Sequence, residues 1–102
     1  MQMTKPIEQR IYDGNRAAEV LENEVFQQIW TDMEQELTEA WTNSPARDAE
    51  GRERIWQYVM TLRKFKAMVN STMESGKLAK LDLQHKQTMA DRLKDGVTSW
   101  LG

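Results

Sequence analysis

Cysteine is absent from the 102 residues, histidine occurs once and proline twice, and no apolar run approaches the roughly 20 residues that a membrane span requires. Without cysteine, neither a disulfide framework nor a thiolate metal site can form. The first ten residues, MQMTKPIEQR, have no apolar core of the kind a secretory leader carries. These absences predict a soluble intracellular protein with no membrane partner. Charge of one sign is also lacking: 14 basic and 16 acidic residues are mixed along the chain, for a net −2. That balance disfavours a general nucleic-acid binder, which must neutralise many phosphates. The five glycines are isolated, so no phosphate-cradling loop is present.

What the chain does have is helical periodicity. Phe26, Ile29, Trp30, Met33, Leu37, Ala40 and Trp41 recur at i, i+3, i+4 and i+7, within about 120° of one face at ~100° per residue. Asn23 is placed to cap this helix, and Glu24 lies in its first turn. Before it, NRAAEVLE predicts a shorter helix after a break at Asp13-Gly14, with Ala17, Val20 and Leu21 as its apolar face.

The stretch NSPARDAEGRERIW, residues 43 to 56, reads as an αα-hairpin turn. Asn43, Ser44 and Pro45 stop one helix, because the residue before proline is pushed out of the α region. Asp48 can cap the next, with Glu50 and Glu53 near its positive end. A start with Ser44 as cap and Pro45 at the first helical position would shorten the turn without changing the topology. The second long helix is predicted from about Asp48 to Glu74, ending at a Gly76 cap with Lys77 near the negative end of the dipole.

That helix carries two apolar faces. Ile55, Tyr58, Val59, Leu62, Phe65, Val69 and Met73 form the one expected to meet the hairpin partner; Trp56, Met60 and Ala67 form another, ~100° or more away. The second face needs cover from the N-terminal helix, the C-terminal tail or another chain. Beyond Gly76 a connector precedes Met89, Leu93, Val97, Trp100 and Leu101, which return to helical spacing as an amphipathic tail weakened by Gly96. Two regions follow: a hairpin domain over 1–79 and a connector with tail over 80–102. The candidate partner-binding residues are Trp56, Met60, Ala67, Met89, Leu93, Val97, Trp100 and Leu101.

Catalytic constellations are scarce. His85 stands alone, without cysteine and without a nucleophile motif around any serine, so Ser-His-Asp and Cys-His chemistry lack their parts. Glu36 and Glu39 in ELTE, with Glu50 and Glu53 in EGRE, form i, i+3 carboxylate pairs that resemble the acidic motifs of all-α nucleotide pyrophosphohydrolases. The second pair sits at the very start of its helix, and the downstream metal-binding aspartate is missing at matching spacing. Solvated helix charges account for these residues, and no catalytic, cofactor or metal residue is assigned. Arg52, Arg54, Arg63, Lys64 and Lys66 supply the alternative, a nucleic-acid-binding regulator or packaging factor, but they point several ways around the helix.

RDAEGRERIW (47–56), ESGKLA (74–79) and, more loosely, LENEVFQQIW (21–30) resemble small helical proteins of tailed phages and prophages, often encoded among their head genes. The likeness spans roughly residues 15 to 79 and rests on caps and core positions. It implies an accessory or virion-assembly role, located in the host cytoplasm or the virion, and carries no catalytic residues. The expectation is therefore an all-α protein: a long antiparallel helical hairpin, a short N-terminal helix and a C-terminal amphipathic helix. Its expected work is non-enzymatic, through contacts with protein partners, either itself or other phage proteins.

Overall fold

A computed structural model describes residues 5 to 101, with side chains as far as residue 96. All regular structure among them is helical: α1 (Ile7–Glu22), α2 (Glu24–Asn43) and α3 (Ala49–Leu101). The all-α expectation holds, while several boundaries move. The chain divides into two compact units, one of Met1–Arg16 with Thr72–Gly102 and one of Ala17–Ser71.

In the first of these units, both helix breaks expected at glycines are absent. Helix α1 passes through Asp13-Gly14, and α3 passes through Gly76 without a stop. No glycine among the described residues has the positive φ that a glycine cap takes. The glycines serve a different purpose: a Cβ on Gly14 would lie 2.7 Å from the Cα of Gly76, and one on Gly76 would lie 2.9 Å from the carbonyl oxygen of Arg10. The two backbones approach too closely for any side chain, which offsets the roughly 1 kcal/mol that glycine costs inside a helix. Ala79, one turn on from Ser75 and Gly76, is fully buried. Polar groups reinforce the crossing, since buried Arg10 donates from Nε to Ser75 Oγ at 3.0 Å and from Nη2 to the Ser75 carbonyl at 3.2 Å. Lys80 Nζ donates to Asn15 Oδ1 at 2.6 Å. The residues expected to form a connector and a separate tail are instead a continuation of α3.

In the Ala17–Ser71 unit, α2 runs against the first part of α3. Lys66 lies over the Trp30 ring at 4.9 Å and Arg52 over the Trp41 ring at 3.8 Å, so rising numbers on one helix meet falling numbers on the other. Trp30 is buried, tilts against Phe26 at 6.1 Å between centroids, and donates its indole N–H to Glu34. Asn23 caps α2 as its sequence position suggests, accepting from the Phe26 amide at 2.9 Å.

The charged turn resolves in favour of Asp48. Its Oδ1 accepts the Gly51 amide at 3.1 Å, while Ser44 closes α2 by donating Oγ to the Trp41 carbonyl at 2.6 Å rather than opening α3. Arg52 reaches back across the turn, donating from Nη1 to the Ser44 carbonyl at 3.2 Å and to Ser44 Oγ at 3.1 Å. It thereby supplies a charge-assisted donor to the end of α2, where carbonyls lack intrahelical partners.

Candidate functional site

Side chains large enough to fill a core are mostly left in contact with solvent. Among the described residues the buried apolar side chains are Ala17, Trp30 and Ala79. In the Ala17–Ser71 unit, Ile29, Met33, Trp41, Trp56, Tyr58 and Phe65 are all exposed, Ile29, Tyr58 and Phe65 by more than half. Of the first apolar face of α3, Ile55, Val59, Leu62, Val69 and Met73 are half-buried as expected, whereas Tyr58 and Phe65 are not covered. Two ridges of bulky side chains meet along their inner edges only, and the outer edges stay open.

The open edges form grooves. Met33, Glu36 and Leu37 of α2 with Tyr58, Thr61, Leu62 and Phe65 of α3 line one of about 440 Å³. On the other flank, Trp41 and Trp56 line a second of about 220 Å³, with Leu37, Thr38, Val59 and Arg63. Trp56 is 48 % exposed, Met60 is exposed, and Ala67 borders a third depression beside Trp30, Arg63 and Lys66. The partner-contact candidates on this part of α3 thus remain accessible without forming one continuous patch. Tyr58, Phe65 and Met33 were not among them; periodicity places residues on a face but does not say how far a neighbouring helix covers that face.

In the other unit, Met89 and Leu93 are exposed on α3, as are Leu78 and Leu81. Leu78 and Leu81 fall in the stretch expected to be a connector, where helical spacing does not single them out. Val97, Trp100 and Leu101 belong to α3 by backbone, but their side chains lie outside the described residues.

Chemical equipment is sparse. No group of three or more His, Cys, Asp or Glu among the described residues is arranged to hold a metal ion. Glu36 borders the apolar groove, Glu39 accepts from Gln35 at 3.1 Å, and Glu50 and Glu53 lie with Arg54 and Gln57 on the outer side of α3. Of the basic residues that suggested phosphate contacts, Arg52 and Lys66 are engaged with Trp41 and Trp30. The perturbed titrating group is Asp13, held below its usual carboxylate value of 3.8 chiefly by the Lys5 ammonium at 3.0 Å and then by Gln9 at 2.8 Å. That arrangement ties the first turns of α1 together. No helix among the described residues is long and apolar enough to cross a membrane. Comparison with family models, curated proteins and solved structures gives no match.

Proposed function

We propose that this protein is a non-enzymatic helical interaction protein whose apolar helix faces are completed by a protein partner. The observation that carries the reading is the exposure of Met33, Trp56, Tyr58 and Phe65 in one unit and of Leu78, Leu81, Met89 and Leu93 in the other. Side chains of this type and number contribute when removed from water, at roughly 25 cal/mol per Å² of apolar surface. Aromatic and methionine residues are also common anchors of protein interfaces. The resemblance of residues 15 to 79 to small helical phage proteins extends the proposal to an accessory, virion or head-assembly role. A DNA-binding role has less support, because Arg52 and Lys66 are already used in helix packing.

Co-expression with the products of the neighbouring genes tests this reading. The tagged chain is expected to retain one of them, and Met89→Glu with Leu93→Glu is expected to release it while leaving helicity unchanged, since both side chains are exposed. Retention of DNA with steep salt dependence and of no protein would contradict it. So would magnesium-dependent hydrolysis of a nucleoside triphosphate that Glu36→Gln with Glu53→Gln abolishes.

A further inference from the structure

We infer that the flank of the α2–α3 hairpin lined by Trp30, Trp41 and Trp56 is a docking groove for an acidic segment of another protein, one that carries a bulky apolar side chain with carboxylates beside it. This names the chemistry that one surface of the interaction reading above accepts, and rests on that reading.

Helical spacing gathers the cations on this flank. At ~100° per residue, Arg52, Trp56, Val59, Arg63, Lys66 and Ala67 of α3 fall within an arc of about 100°. Three of those six are basic and none is acidic, while Glu50 and Glu53 lie outside the arc. At about 1.5 Å rise per residue the three charges are spread over roughly 21 Å of helix. Across from them α2 contributes Trp30, Glu34, Leu37, Thr38 and Trp41. Its one acid there, Glu34, already accepts the indole N–H of Trp30. The flank is on balance cationic, whereas the groove on the other side of the hairpin is lined by Glu36 and by no basic residue.

Two of the cations are held in place by aromatic rings. Arg52 lies over Trp41 at 3.8 Å and Lys66 over Trp30 at 4.9 Å, and each keeps its charge while stacked. Arg63 is exposed and borders both depressions of the flank, one of about 310 Å³ beside Trp30 and one of about 220 Å³ lined by Trp41 and Trp56. Leu37 and Val59 complete the apolar wall of the smaller one, which has room for a large apolar side chain. A carboxylate next to that side chain meets Arg63, whose planar fork offers it two parallel donors.

The same features disfavour a nucleic-acid strand as the occupant. Such a strand draws on a succession of open aromatic faces and on many phosphate contacts. Here Trp30 is buried, Trp41 carries Arg52 on one face, and three cations neutralise few phosphates.

Selection from a random peptide library on the chain tests the inference, followed by fluorescence anisotropy of the enriched peptides. Sequences that combine Glu or Asp with Leu, Phe or Trp are expected to emerge, with affinity that falls as salt rises. Arg63→Glu should weaken binding about tenfold or more and Arg63→Lys by less, since the charge remains. Trp56→Ala should also weaken it about tenfold. Circular dichroism is expected to stay unchanged, because Arg63 and Trp56 are both exposed. Enrichment of basic or uncharged sequences would overturn the inference, as would affinity indifferent to Arg63→Glu, or no enrichment at all. So would tighter binding of oligothymidylate than of any enriched peptide. A neighbouring gene product retained equally by wild type and Arg63→Glu would overturn the site while the interaction reading stands; failure of that reading shows instead as retention of no protein.

Discussion

The two units hold their helices together by opposite means. Where α1 crosses α3, the contact is made of Gly14, Gly76, Ser75 and Ala79, so the backbones touch, while Leu78, Leu81, Met89 and Leu93 of the same unit stay exposed outside that contact. Where α2 meets α3, the contact is made of Trp30, Trp41, Leu37, Leu62 and Phe65, and bulky side chains border open grooves on its flanks. Small residues give a close fit that admits no substitution; large ones give strong local anchoring with surface to spare. The first arrangement suits a fixed joint and the second a site that something else completes.

The sharpest way to break this comparison is to remove the one large apolar side chain that is buried among the described residues. Trp30→Ala deletes the packing on Phe26 and the Lys66 contact, and is expected to cost about 3–5 kcal/mol, read from chemical denaturation. A cost near zero would mean that bulk does not anchor the α2–α3 unit. At the other joint, Gly76→Val should cost about 3 kcal/mol, because its new Cβ meets backbone rather than a flexible side chain. Gly96→Ala is the internal control, since nothing lies within 4 Å of a Cβ there, and it should raise stability by about 1 kcal/mol. If both glycine changes shifted the melt in the same direction, the close approach would not be what fixes Gly76.

Much of this architecture was legible in the sequence. The i, i+3, i+4 spacing identified α2 and the first half of α3, and Asn23 and Asp48 were recognisable as caps because a short polar acceptor just before an amphipathic run has little else to do. Gly14 and Gly76 were misread for a physical reason. A glycine inside a helical pattern suits a break and a close crossing equally well, and what decides between them is the other helix, which is far away in sequence. Arg10 escaped notice because its burial depends on Ser75, again across that crossing. A wheel shows which side chains share a face, whereas the exposure of Tyr58 and Phe65 depends on how far α2 reaches over them, which periodicity does not state.

The smallest effect expected is electrostatic. Asp13 has a folded-state pKa below its usual 3.8, so its contribution is fully present above that value and is lost as pH falls through the lower folded one. A carboxyl titration followed by NMR should show the depressed midpoint, and Lys5→Ala should return it towards 3.8. An unshifted wild-type midpoint would remove the Lys5–Asp13 tie from the account of how α1 begins.

The central claim, that the bulky unit presents surface for a partner while the glycine joint is complete in itself, is tested most directly by hydrogen exchange of the chain alone and with the protein it retains on co-expression. Amides around Met33, Tyr58 and Phe65 are expected to gain protection in the complex, while those around Gly14 and Gly76 keep the same protection in both. Protection unchanged in both regions would contradict the claim, as would a gain confined to the glycine crossing.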